Sequence, residues 1–98
     1  MEQELEAAIV QRRVITFTYD GLERTVQPAT LGVSSAGNLL IRGCQVDGLS
    51  KRNSIPCWEL YSLAKIRDLA VTAEVFDGFA LPGYTRGDSA FVRIDAEH

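Results

Sequence analysis

The chain has 98 residues, of which 46% are hydrophobic and 23% are charged, and its formal net charge is −3. This length fits one domain, 1–98, with one core, and the composition excludes a chain that is disordered throughout. The net negative charge argues against a general nucleic-acid-binding protein, although basic residues outnumber acidic ones between Arg42 and Lys65. We therefore expect any anion-binding surface to be local.

Residues 1–13 are predicted to form a helix, because Leu5, Ala8 and Ile9 share one face at helical spacing. Three glutamates lie in its first turns, where the helix dipole favours negative charge. The period then changes to two, with Ile15, Phe17 and Tyr19 on one side of a first strand. The helix therefore leads directly into a β region, 14–72.

Asp20-Gly21 is a strong hairpin signal, because both positions of such a turn need positive φ. The second strand starts at Leu22 and continues to Val33, and Pro28 bends it or places it at an edge. Three further strands are predicted at residues 38–46, 57–63 and 66–72. Five short strands joined by turns predict a mainly β fold, a small barrel.

Residues 73–98 form a C-terminal extension in this prediction. Phe76, Phe79, Leu81 and Tyr84 lie in a segment rich in Gly and Pro. They would either form an exposed apolar patch for a protein partner or a dimer, or fold back as a lid on the barrel. Asp88 is predicted to cap a short C-terminal helix.

Two cysteines, Cys44 and Cys57, match no zinc or redox spacing, and the only histidine is His98. No apolar run approaches the ~20 residues of a membrane span, and the N-terminus is acidic. We expect free, buried thiols in a cytoplasmic protein without membrane contact, with a disulfide as the alternative. No catalytic constellation is visible, so we expect neither an enzyme nor a cofactor or metal.

The order of several motifs resembles the WYL domain, a bacterial module with an SH3-like (Sm-type) barrel. The resemblance covers residues 5–76 and implies a regulatory role in transcription, through sensing of a nucleotide or short single-stranded nucleic acid. Because one predicted helix precedes the barrel, we expect a stand-alone copy without a helix-turn-helix. The motifs are Arg12-Arg13, Phe17-x-Tyr19, Arg24-x-Val26-x-Pro28 and Tyr61-x-Leu63-x-Lys65-Ile66.

The chain also departs from that pattern. The tripeptide that names the family falls at Asn38-Leu39-Leu40, so only its leucine remains. Two arginines of the family's later run are replaced by Glu59 and Ser62, and its aspartate by Ala64. Since those arginines belong to the surface implied to contact ligand, an anionic ligand would have to bind differently or more weakly here.

The candidate ligand-binding residues are Tyr19, Arg24, Arg42, Lys51, Arg52 and Lys65. Tyr19 and Arg24 flank the first hairpin and would either hold a base and a phosphate or form a structural pair. The other four would form a basic rim or remain solvated surface charges. Trp58 would either stack on a base or belong to the core. The alternative function is a protein-interaction or self-association domain that uses residues 76–84.

Overall fold

The computed structural model describes residues 1–51 and 53–98. One α-helix, α1 (Glu2–Val10), precedes strands β1 (Arg13–Tyr19), β2 (Leu22–Val33), β3 (Leu39–Gly48), β4 (Cys57–Ser62), β5 (Arg67–Val75) and β6 (Arg93–Glu97). A 3₁₀ turn, Leu63–Lys65, joins β4 to β5. The mainly β prediction and the N-terminal helix are confirmed, and the five predicted strands are all present.

The strands form one antiparallel sheet in the order β4-β3-β2-β1-β5, and β6 pairs with β2 outside this path. In the part of the chain that the structure describes, no pairing joins β4 to β5, so the sheet is open. Asp20 and Gly21 form the first turn with φ of 53° and 75°, as the hairpin prediction requires. β4 and β5 are therefore the two ends of this strand order, and closure of the predicted barrel is not confirmed.

Pro28 lies at the point where β2 changes its pairing partner along one edge. On one edge, β2 pairs with β1 up to Val26 and with β6 from Thr30 onward. Pro28 lies between these two stretches, where a residue without an N–H group costs no ladder hydrogen bond. At Pro28, β2 has no partner on this edge, and the second half of the strand pairs there with the end of the chain.

The predicted C-terminal helix is wrong, because residues 93–97 form β6 on that edge of β2. Gly32 allows the approach, since a Cβ there would collide with the carbonyl oxygen of Arg93. Asp88 instead closes a turn, and its Oδ1 accepts a hydrogen bond from the Ala90 N–H at 2.9 Å. The strand forms because a distant partner strand supplies backbone hydrogen bonds that local capping does not reveal.

The core lies between α1 and one face of the sheet. Ile15, Phe17 and Tyr19 all point into it, as the period of two predicted. Their burial removes apolar surface from water, which is the main favourable term in folding. The buried core residues are Leu5, Ala8, Ile9, Ile15, Phe17, Tyr19, Val26, Leu31, Ile41, Tyr61, Leu63 and Ile66.

Candidate functional site

Four of the six predicted ligand-binding residues line one cleft of about 390 Å³, which we call the Arg24 cleft. Tyr19 ends β1, Arg24 lies on β2, Lys51 lies in the β3–β4 loop, and Lys65 ends the 3₁₀ turn. The cleft opens between β4 and the β1–β2 hairpin, on the open side of the sheet. The residues that line it are Tyr19, Asp20, Arg24, Lys51, Glu59, Leu60 and Lys65.

The Arg24 side chain is buried at the base of the cleft, with 1% of its surface exposed. Its Nη1 donates to Glu59 Oε2 at 3.1 Å, and its Nη2 donates to the Tyr19 carbonyl oxygen at 3.2 Å. Arg24 Nε is buried and has no hydrogen-bond partner among the described residues. The guanidinium is therefore neutralised mainly by one carboxylate, and solvent does not reach it directly.

Tyr19 is held from several sides and is 8% exposed. Its hydroxyl accepts a hydrogen bond from the Ser62 N–H at 3.0 Å. Arg24 Cζ lies 5.3 Å and Lys65 Nζ 5.9 Å from the ring centroid, within the range of cation–π attraction. A base could stack on Tyr19 only after Lys65 moves aside, so the phenol chiefly positions Arg24 and β4.

Behind Arg24 lies a buried polar layer. Gln45 Oε1 accepts from the Tyr61 hydroxyl at 3.1 Å and from Arg24 Nη1 at 3.5 Å. Burial, with a smaller contribution from the nearby Glu59 carboxylate, raises the pKa of Tyr61 far above its usual range. Tyr61 thus stays protonated and donates, which keeps the amide and the guanidinium fixed.

The cleft itself carries mixed charge. Arg24, Lys51 and Lys65 supply three positive charges, while Asp20 and Glu59 supply two negative ones, so the described lining has a net charge of +1. Both lysines are exposed, and neither forms a salt bridge with a carboxylate in the described part of the chain. They are the cations that an incoming anion can reach first.

Arg42 lies elsewhere. Its Nε and Nη2 donate to the two oxygens of Asp88, at 2.8 and 3.5 Å. Burial tends to raise the pKa of Asp88, but the hydrogen bonds from Arg42 and the Ala90 N–H outweigh it and hold that pKa below its ordinary value. Arg42 thus ties β3 to the C-terminal segment and does not join the Arg24 cleft. Arg52, the sixth predicted residue, lies outside the described residues.

A second cleft of about 420 Å³, the Trp58 cleft, lies beside this ion pair. The residues that line it are Arg42, Trp58, Gly83, Tyr84, Thr85, Gly87, Asp88 and Ser89. Trp58 Nε1 donates to the Pro82 carbonyl oxygen at 2.8 Å. Trp58 therefore lies on the outer face of β4 and not in the core cluster.

The segment of residues 76–84 folds back onto the outer face of the sheet. Gln27 holds it through its side-chain amide, which accepts from the Ala80 N–H at 2.8 Å and donates to the Gly78 carbonyl oxygen at 3.3 Å. Phe79 packs on Trp58 and on Tyr84, with ring centroids 4.9 and 5.0 Å apart. These aromatic residues therefore pack against the sheet, but they cover its outer face and do not form the predicted lid over the core.

Sequence reasoning missed Glu59 and Asp88 as partners of the predicted arginines. Glu59 itself was visible in the sequence, but its partner Arg24 is 35 residues away along the chain. Cys44 and Cys57 are free and buried, which confirms the expectation of separate thiols. Among the described residues, no set of three or more His, Cys, Asp or Glu side chains is arranged to bind a metal ion.

Fold and cleft together define a mainly β domain with one helix and a mixed-charge cleft at the open side of its sheet. In residues 1–51 and 53–98, no helix is long and apolar enough to cross a membrane. No protein-family model matches the chain, and neither the curated proteins nor the solved structures contain a significant match.

Proposed function

We propose that this chain is a non-catalytic, ligand-sensing module that binds a nucleotide or a short single-stranded nucleic acid in the Arg24 cleft. The observation that carries the proposal is the convergence of Tyr19, Arg24, Lys51 and Lys65, which are distant in sequence, on one cleft. A WYL-type domain with an SH3-like barrel, acting in bacterial transcription regulation, is the setting that the motif order favours. The strand order, which leaves β4 and β5 as the two ends of the sheet, is compatible with such a barrel.

In this proposal the two exposed lysines contact phosphate, because each offers an ammonium group to solvent at the rim of the cleft. Arg24 acts from below as a positioning residue, since its hydrogen bonds hold the Tyr19 carbonyl group and Glu59. Glu59 replaces a basic residue of the family pattern and weakens binding of an anion by repulsion. We therefore expect a modest affinity that depends on salt.

The non-catalytic character is proposed because the Arg24 cleft lacks a histidine in its described lining. His98 packs instead against Phe76 and Phe79, with ring centroids 5.4 and 4.7 Å away. A general base is therefore not supplied by the group that most often provides one near neutral pH.

Fluorescence anisotropy of a labelled single-stranded hexanucleotide tests the proposal, with unlabelled mononucleotides as competitors. With two phosphate contacts, the logarithm of the binding constant should fall with the logarithm of salt concentration with a slope of about −1.4. The double variant Lys51→Glu/Lys65→Glu should lose binding. Arg93→Gln, which removes a positive charge at the far end of β2, should bind as the wild type does. Binding that is independent of salt, or unchanged in the double variant, would overturn the proposal.

A further inference from the structure

Trp58 has no role in the binding of phosphate by the Arg24 cleft. Its indole is half-buried and lines the Trp58 cleft, outside the core cluster. Nε1 is already engaged, since it donates to the Pro82 carbonyl oxygen at 2.8 Å, and Phe79 packs against the ring with the two centroids 4.9 Å apart. The indole is therefore held in place and offers the cleft an aromatic ring without a free polar group.

The indole remains open to the cleft because Gly83, which faces it, has no side chain. A Cβ at Gly83 would lie 3.4 Å from Trp58 Nε1 and 3.8 Å from Trp58 Cδ1, so a larger side chain would cover this edge of the ring. The cleft has a volume of about 420 Å³. Sites for small organic groups usually span about 300–1,000 Å³, so the space beside the indole is large enough for one such group.

The Trp58 cleft carries no net charge. In its described lining, Arg42 and Asp88 are the only charged side chains, and they neutralise each other. Both carboxylate oxygens of Asp88 are engaged, because Oδ2 accepts from Arg42 Nε at 2.8 Å and Oδ1 accepts from a backbone N–H at 2.9 Å. Arg42 Nη1 donates to no atom of the described residues. The cleft therefore suits an uncharged ring with hydrogen-bond acceptors and does not suit an ion.

The two clefts border the same strand. Leu60 lines the Arg24 cleft, and Trp58, two residues earlier on β4, lines the Trp58 cleft. Alternate residues of a strand lie about 6.5–7 Å apart and on the same side. β4 is also an end strand of the sheet. One short strand of nucleic acid that passes over the end of the sheet can therefore contact both clefts.

We propose that the Trp58 cleft is a base-binding subsite, which holds one base of the single-stranded nucleic acid whose phosphates lie in the Arg24 cleft. A nucleobase is an uncharged, planar ring with acceptor atoms on its edge, which matches the neutral aromatic lining and the free Arg42 Nη1. Stacking on the indole adds affinity for any base. The subsite rests on the proposed function, because the phosphate in the neighbouring cleft identifies the ring as a base.

Two unlabelled probes, titrated into the full wild-type chain, test the subsite: hexathymidylate, whose bases carry carbonyl acceptors, and an abasic hexamer with the same sugar–phosphate backbone. Trp58 is the only tryptophan, so its fluorescence reports on this cleft. We expect hexathymidylate to quench that fluorescence saturably. In competition with a labelled hexanucleotide, it should bind about tenfold more tightly than the abasic hexamer. The abasic hexamer should bind in a salt-dependent manner and leave the fluorescence unchanged.

Trp58→Phe and Trp58→Leu are a matched pair of variants, because both lose the hydrogen bond from Nε1 to the Pro82 carbonyl oxygen and only the first keeps an aromatic ring. Trp58→Leu should bind hexathymidylate roughly fivefold to tenfold more weakly than Trp58→Phe does. The two variants should bind the abasic hexamer equally, which a general loss of structure in one of them would not allow.

The outcomes separate the subsite from the proposed function. Equal affinity of the two hexamers for the wild-type chain, or quenching of Trp58 by the abasic hexamer, would overturn the base-binding subsite and leave phosphate binding in the Arg24 cleft standing. Equal binding of hexathymidylate by the two variants would overturn the subsite as well. If neither hexamer binds, the proposed function fails, and the subsite fails with it.

Discussion

Arg24 and Glu59 form an ion pair of 3.1 Å at the base of the cleft, with 1% and 23% of their side-chain surfaces exposed. The pair joins β2 to β4. Because the Arg24 guanidinium is covered and paired with Glu59, a ligand in the cleft meets the Glu59 carboxylate and not the guanidinium itself. Glu59 is therefore the residue whose change should reveal most about the cleft.

Glu59→Gln should lower stability and raise anion affinity together. Loss of the charged acceptor leaves the buried Arg24 guanidinium poorly compensated, which should cost about 1–3 kcal/mol in urea unfolding. Removal of one negative charge from the cleft should strengthen oligonucleotide binding roughly fivefold, about 1 kcal/mol. Glu23→Gln, an exposed change of the same charge outside the Arg24 cleft, should do neither. Weaker binding in a folded Glu59→Gln would contradict the assigned role.

The two cysteines should remain thiols under oxidising conditions. Cys44 lies opposite Trp58 and Cys57 opposite Gln45, so the two side chains point to opposite faces of the sheet. Burial raises the pKa of both thiols, and for Cys57 the nearby Glu59 adds to it. We expect slow reaction with a disulfide reagent at pH 8 in native protein and rapid reaction of two thiols in urea. A mass two units lower after air oxidation would contradict this arrangement.

Stability should fall as the pH drops below the ordinary pKa of histidine, about 6.5. Burial, with the positive charges of Arg12 and Arg86, lowers the pKa of His98 and outweighs the opposite influence of the nearby Asp77 backbone. The unfolded chain therefore binds a proton that the folded chain resists, so stability is complete above about 6.5 and is lost as the pH falls toward the folded value. His98→Phe keeps an aromatic ring and should flatten this part of the profile. An identical slope between pH 7 and 5 in both proteins would refute the prediction.

Asp88→Asn should destabilise the protein by about 1 kcal/mol at pH 7, because it breaks the charged pair with Arg42 that ties the C-terminal segment to β3. Since the pKa of Asp88 is lowered in the folded state, its contribution is present above about pH 3.9 and is lost as the pH falls through the folded value. The difference between variant and wild type in urea unfolding should therefore vanish in acid. Asp95→Asn breaks an exposed pair and is the control. A difference that persists at pH 2 would show that charge is not the cause.

Local patterns predicted the elements whose cause is local. Asp20-Gly21 defines its own turn, and the alternation of Ile15, Phe17 and Tyr19 defines which face of β1 is buried. The end of the chain was not predictable in this way. β6 forms by pairing with β2, on the part of its edge that begins after Pro28 and that Gly32 leaves open to a close neighbour. Asp88 resembles a helix cap in the sequence, but the backbone hydrogen bonds that the β2 edge offers favour a strand after it.

The candidate site, too, was predictable only where its contacts are local in sequence. That Tyr19 and Arg24 lie near each other follows from the hairpin, since four residues separate them. That Arg24 is covered by Glu59, and that Arg42 is held by Asp88, depends on contacts across 35 and 46 residues. Single-sequence reasoning identifies a charged residue but not its distant partner, and the partner decides whether the charge is available to a ligand.

Amide chemical shifts, mapped during titration with a single-stranded hexanucleotide at low salt, show directly where a ligand binds. Binding in the Arg24 cleft predicts saturable shifts at Asp20, Lys51 and Lys65, which shrink when salt is raised. Shifts confined to residues 83–89 around Arg42, or no shifts at all, would contradict binding in the Arg24 cleft.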